Sequence, residues 1–190
     1  MSNEITVKLK CSIDEICNIL ENKNFKILDK YVLEDTYFIP KELKINNMEC
    51  REILKHCILL RRITENKNKK KTIKITKKIK DINSLGEIIR QKNIDCEILN
   101  EKEGIDILHE MNYKELINIL ENDIEYEKNG LKVLIKDVKN GDKLLEVETQ
   151  DNKNLNSIEK IKQKINELGL PIDTKDYFVK KAEIEIKKIL

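Results

Sequence analysis

The chain has 190 residues, of which 39% are apolar and 38% charged. Ile, Leu and Val run through its whole length, which excludes a disordered polyelectrolyte and leaves enough apolar material for one buried core. A formal net charge of +2 excludes the basic balance of a dedicated nucleic-acid binder. No apolar run approaches the length of a membrane-spanning helix.

The five cysteines, Cys11, Cys17, Cys50, Cys57 and Cys96, are odd in number and irregularly spaced. Cys50, His56 and Cys57 match no zinc spacing. The opening Met-Ser-Asn-Glu carries no apolar leader segment, so reduced thiols and a cytoplasmic location are expected.

In chain order, Glu4-Ile-Thr-Val-Lys-Leu-Lys10 alternates strictly, with Ile5, Val7 and Leu9 on one face of a predicted strand and charged residues on the other. Ser12-Ile-Asp-Glu15 reads as a capping box, followed by the helical stripe Ile13, Ile16, Cys17 and Leu20. Residues 35–39 are β-prone and stop at Pro40. A helix is predicted over 42–57. Strands at 58–64 and 72–79 flank Lys67, Lys69, Lys70 and Lys71, which read as a solvated hairpin tip.

Asn83-Ser-Leu-Gly86 marks a turn before a strand within 87–99, and 103–111 reads as a helix. Residues 113–121 fit a helix at least as well as a strand. Asn129-Gly130 signals a hairpin between that segment and strands at 131–138 and 144–149. Ser157 opens an amphipathic helix that Gly169 and Pro171 end, and a last helix starts near Thr174 or Asp176. About eight strands with peripheral helices predict an α+β fold around an antiparallel barrel.

The charged strand faces carry the chemistry. Glu146 and Glu148 share one face, as do Glu4 and Lys8. Carboxylates two apart on a strand converge as hard divalent cations require, and a basic wall beside them would clamp phosphate oxygens. Glu-x-Glu is equally ordinary on a solvated strand.

In their order, several short motifs resemble the CYTH, or triphosphate-tunnel, superfamily of class IV adenylyl cyclases, thiamine triphosphatases and inorganic triphosphatases. Glu4-x-Thr6-x-Lys8 resembles its Glu-x-Glu-x-Lys signature. Asp35-Thr-Tyr-Phe38, Leu60-Arg61-Arg62-Ile63, Thr76-Lys77, Arg90, Tyr126, Glu146-Val-Glu148 and Tyr177-Phe178-Val179 follow the family's sequence of strands. The resemblance implies a single domain over 1–190 and a closed eight-stranded antiparallel β-barrel with peripheral helices. It implies Glu4, Glu146 and Glu148 as ligands of Mg or Mn, and Lys8, Arg61, Lys77 and Arg90 as phosphate clamps. Lys8 is the catalytic candidate, positioning an attacking water. The implied partner is a triphosphate-containing small molecule rather than DNA or a membrane.

The departures fall on the tunnel face. Thr6 replaces the second glutamate of the first motif and Ile63 an arginine. Lys92 and Ile94 follow Arg90 where the family has acids. Glu121 and Asp123 stand at basic positions, Lys132 and Lys136 at acidic ones. Such a charge swap implies a degenerate site. One reading is a metal-dependent triphosphate hydrolase or adenylyl cyclase with a modified centre. The alternative is a non-catalytic binder or scaffold whose tunnel is filled by its own salt bridges, with Lys136 against Glu121 or Asp123.

Overall fold

Alternation becomes strand throughout. The computed structural model describes residues 4–82, 88–148 and 158–190. The turn expected at 83–86 and the cap expected at Ser157 lie outside the described residues. The strands are β1 (Glu4–Lys8), β2 (Lys26–Pro40), β3 (Ile58–Glu65), β4 (Lys71–Ile82), β5 (Ile88–Ile98), β6 (Tyr113–Lys128), β7 (Leu131–Val138) and β8 (Lys143–Glu148). The helices are α1 (Ile13–Asn22), α2 (Cys50–His56), α3 (Glu101–Glu110), α4 (Ile158–Glu167) and α5 (Lys181–Lys187). No helix among the described residues is long and apolar enough to cross a membrane.

Local chemistry explains most boundaries. The Ser12 hydroxyl accepts from the Glu15 amide and starts α1. The Asn100 side chain accepts from the Lys102 and Glu103 amides and starts α3. Asn129 and Gly130 both adopt positive φ, as the two central residues of a tight hairpin between β6 and β7 require. Gly169, also at positive φ, ends the turn after α4.

Three expectations change. The helix predicted over 42–57 shrinks to Cys50–His56, because the preceding residues are taken up by turns in which Asn47 has positive φ. The ambiguous 113–121 segment is strand, the start of a 16-residue β6 hydrogen-bonded on one side to β2 and on the other to β7. Pairing on both edges overrides helical propensity. The last helix begins at Lys181. Upstream, the Asp176 carboxylate accepts from the Phe178 amide and turns the chain.

All eight strands form one antiparallel sheet in the order β1-β8-β7-β6-β2-β3-β4-β5. The expected closed barrel is not formed, because the sheet has two ends and no β1–β5 ladder among the described residues. The outer edge of β1 is already used. The Thr6 amide donates to the Tyr177 carbonyl and the Val179 amide to the Thr6 carbonyl, at 3.1 and 3.0 Å. Residues 177–179 thus occupy the edge that β5 would need, and β1 is only five residues long. The sheet nevertheless curls strongly, since Thr6 of β1 and Asn93 of β5 line one cavity.

The two faces bury different groups. Ile5, Val7, Val133, Ile135, Leu145 and Val147 turn outward and pack against Ile16 and Leu20 of α1 and Ile161 and Ile165 of α4. Phe38 and Leu60 pack against Leu108 of α3. On the inner face, Tyr37, Leu59, Ile119, Val138 and Leu144 meet Ile53 of α2 and Ala182 and Ile186 of α5. These two short helices therefore close one end of the curled sheet and form the wall of the cavity.

Candidate functional site

The cavity has a volume of about 220 Å³. Its cationic lining is Arg51 and Lys55 of α2, Arg61 of β3, Lys78 of β4, Lys136 of β7, Lys180 and, opening α5, Lys181. Glu146 and Glu183 are the acids that line it, so seven cationic side chains face two carboxylates.

Beneath this basic lining lies a buried acidic layer. Asp35 and Glu121 are fully buried and Asp123 is 1% exposed. Arg61 grips Asp35 through Nε and Nη2, and Lys181 Nζ lies 3.0 Å from the same carboxylate. Lys181 also donates to Glu121. Lys136 Nζ stands between Glu146 at 3.4 Å, Glu121 at 3.7 Å and Asp123 at 3.8 Å. These acids hold Arg61, Lys136 and Lys181, whereas Arg51 and Lys180 pair with Glu183 and Lys55 with Glu52.

Buried charge shifts these groups in opposite directions. Burial disfavours a charged Asp35, but Lys181 and Arg61 outweigh it and hold the carboxyl well below its usual range. Burial likewise opposes the charge of Lys136, but Glu146, Glu121 and Asp123 outweigh it and raise the ammonium pKa. Asp123 differs. Neither of its oxygens has a hydrogen-bond partner. Burial pushes its pKa up to about 7, with Lys136 opposing and Glu121 adding to the rise.

The residues expected from the sequence do not all converge. Arg61 lines the cavity, as does Glu146, whose Oε2 accepts from the Thr6 hydroxyl at 3.4 Å. Lys8 pairs with Asp142 at 2.6 Å toward solvent. Lys77 Nζ donates to the Lys55 and Cys57 carbonyls and so caps the end of α2. Its neighbour Lys78 lines the cavity instead, paired in register with Asn93. Arg90 is registered with Asp81, and Glu4 with Glu148. For Glu4, Arg90 and Glu148 only the backbone belongs to the described part of the structure.

Arg51, Lys55, Lys180 and Lys181 escape sequence reading, because helices bring them to the cavity and no strand alternation marks them. The one signal was position, since Lys180 and Lys181 directly follow Tyr177-Phe178-Val179. The charge-swapped residues were legible: Lys132, Leu134 and Lys136 share the inner face of β7, and Lys136 meets Glu121 and Asp123 as their register dictates.

The fold of this chain is found in solved structures. The PH1819 protein of Pyrococcus horikoshii is similar over 99% of both chains, with 18% identity and a TM-score of 0.73. A protein described as a candidate adenylate cyclase from Vibrio parahaemolyticus is similar over 98% of this chain and 97% of its own, with 9% identity and a TM-score of 0.63. A candidate adenylyl cyclase from Hippeastrum, described as having a dominant triphosphatase activity, covers 99% of this chain and 96% of its own, with 13% identity and a TM-score of 0.60. No protein-family model and no curated protein matches the sequence. The chain has the fold of these proteins, which supports a divergent form of the CYTH-like resemblance without the closed barrel it implied.

Proposed function

We propose that this protein binds the phosphate chain of a triphosphate or nucleotide in the cavity between the sheet and the two end helices. The observation that carries this reading is the lining itself, seven cations against two acids, with Arg61, Lys136 and Lys181 among them fixed by buried carboxylates. The volume of about 220 Å³ is below the roughly 300–1,000 Å³ of pockets that enclose a whole drug-sized ligand. It suits a phosphate chain with any attached base outside. Arg61 supplies a fork already aligned by Asp35, and Lys78, Lys136 and Lys181 supply point charges from three other elements. The cyclase and triphosphatase neighbours support a triphosphate over other anions.

Turnover as a metal-dependent triphosphatase or adenylyl cyclase requires a cation held by Glu4, Glu146 and Glu148. The described part of that set does not fit one. Glu146 is engaged by Thr6 and by the Lys136 ammonium, and no group of three metal-binding side chains occurs among the described residues. Binding without turnover is therefore the reading we favour. Lys136 bridging Glu121, Asp123 and Glu146 also favours a second reading, a scaffold whose interior is satisfied by its own ion pairs.

Thermal stability with inorganic tripolyphosphate separates the two. A ligand at 100 times its Kd stabilises the fold by about 2.7 kcal/mol. A clear rise in Tm with tripolyphosphate, cut to about half at the same concentration in Lys78→Ala, is the expected result. No rise with tripolyphosphate or ATP, with or without Mg²⁺ or Mn²⁺, would leave the scaffold reading.

A further inference from the structure

We propose that the Lys136 ammonium takes the position of a divalent cation, so that phosphate binding in this cavity needs no metal. The inference rests on the phosphate-binding reading and adds to it how the acidic layer is neutralised.

Three carboxylates from two strands surround Lys136 Nζ, namely Glu146 of β8 and Glu121 and Asp123 of β6, at 3.4, 3.7 and 3.8 Å. Register fixes this arrangement. Lys136 is the backbone partner of Asp123 on one side and of Leu144 on the other, so its side chain rises from the middle of the sheet between the acids. The side chain is only 12% exposed. A cation bound to Glu146 through oxygen at about 2.0–2.6 Å would stand beside the ammonium and be repelled by it. The residue facing Glu146 across the β1–β8 ladder is Thr6, a hydroxyl rather than a second carboxylate.

An ammonium anchored in this way does part of what a metal does. It neutralises buried carboxylates and offers positive charge to phosphate oxygens. It also differs from a metal. It cannot be chelated, and it carries one charge instead of two. All three acids lie at or beyond 3.4 Å, and Glu121 Oε2 and both Asp123 oxygens have no hydrogen-bond partner. At those distances the ion pairs place the ammonium without using up its three donors, which remain for an incoming anion.

The test is calorimetric titration of inorganic tripolyphosphate into the full chain in EDTA, together with Mn²⁺ uptake followed by electron paramagnetic resonance without phosphate. The proposal expects binding in EDTA and no stoichiometric Mn²⁺ uptake by the wild type. Lys136→Gln, which leaves three carboxylates around an uncharged amide, should lose about tenfold or more in affinity in EDTA, the scale of one charge-assisted hydrogen bond. Wild-type binding that appears only with Mn²⁺ overturns this inference and leaves phosphate binding standing. Stoichiometric Mn²⁺ uptake by the wild type, or a Lys136→Gln variant of unchanged affinity in EDTA, overturns it as well. No binding under either condition overturns the inference together with the phosphate-binding reading.

Discussion

Arg61 on β3 and Asp35 on β2 are backbone partners across the ladder, and their side chains form a two-pronged ion pair, Nε to Oδ1 at 2.7 Å and Nη2 to Oδ2 at 2.8 Å. Asp35 has no exposed surface, whereas the arginine keeps about a fifth of its side chain in the cavity. The pair is thus an anchor at one end and a presented cation at the other. Truncating Arg61 to Ala leaves a buried carboxylate with Lys181 alone. We expect a loss of about 3 kcal/mol, read as a lower urea midpoint with an unchanged slope. Arg61→Lys should recover only part of it, because an ammonium cannot reproduce the planar fork. A change below about 1 kcal/mol for Arg61→Ala, the range of exposed pairs, would show that the pair does not anchor the site.

Lys77 and Lys78 are adjacent in sequence and opposite in role. Lys77 donates to the carbonyls at the end of α2, while Lys78 lines the cavity. Lys78→Ala should weaken tripolyphosphate binding by about tenfold. Lys77→Ala should leave affinity within about twofold and reduce stability by about 0.5–1 kcal/mol, the worth of a hydrogen-bonded cation at a helix end. Titrations of both variants decide the point. Equal effects on affinity would mean that the register of β4 is not what selects the phosphate contacts.

Asp123 sets a pH dependence of stability. Its pKa is about 7 in the folded chain, against an ordinary value of 3.8. Between these values the folded protein retains a proton that the unfolded chain has lost. Stability should therefore fall as pH rises from about 4 to 7, by at most about 1.4 kcal/mol per pH unit, and level off above. Asp123→Asn should flatten this window. Asp35, whose pKa is depressed, works in the opposite sense: its contribution is present above its ordinary value of 3.8 and is lost as pH falls further. Urea unfolding across pH 3 to 8 checks both. A falling limb that persists in Asp123→Asn would assign the bound proton to another group.

Lys181 ties α5 to the sheet, because its ammonium contacts both Asp35 and Glu121. A double-mutant cycle of Lys181→Met and Glu121→Gln should give a coupling energy of about 1 kcal/mol or more, as groups in one ion network do. Additive effects would mean that apolar packing of Ala182 and Ile186, both buried, fixes the helix without the ion pair.

Several features were legible because strand alternation is a local property. In β7, Leu131, Val133 and Ile135 are buried on the outer face while Lys132 and Lys136 take the inner one. That pattern turns Lys136 inward, and the register with β6 then brings it to Glu121 and Asp123. In β5 the same reasoning reaches its limit. Lys92 is registered with Ile79 and Ile94 with Lys77, so neither shares a face with Lys78 or Asn93. A single-residue choice of register moves every side chain to the other side of the sheet, and it is set by the partner strand. Segment 113–121 was undecided for a related reason. Its apolar residues satisfy both periods, and only β2 and β7 on its two edges make it a strand.

The sequence by itself determined most of the alternating segments, the Ser12 cap of α1 and the charges that would exchange along the inner face, because these follow from periodicity and side-chain chemistry within a few residues. The tertiary structure decided that the sheet stays open, since Tyr177 and Val179 take the hydrogen bonds of the β1 edge from more than 160 residues away. It also decided that Lys78 rather than Lys77 faces the cavity, and it brought Arg51, Lys55, Lys180 and Lys181 there with α2 and α5. Those outcomes depend on long-range pairing and packing, which no local pattern encodes.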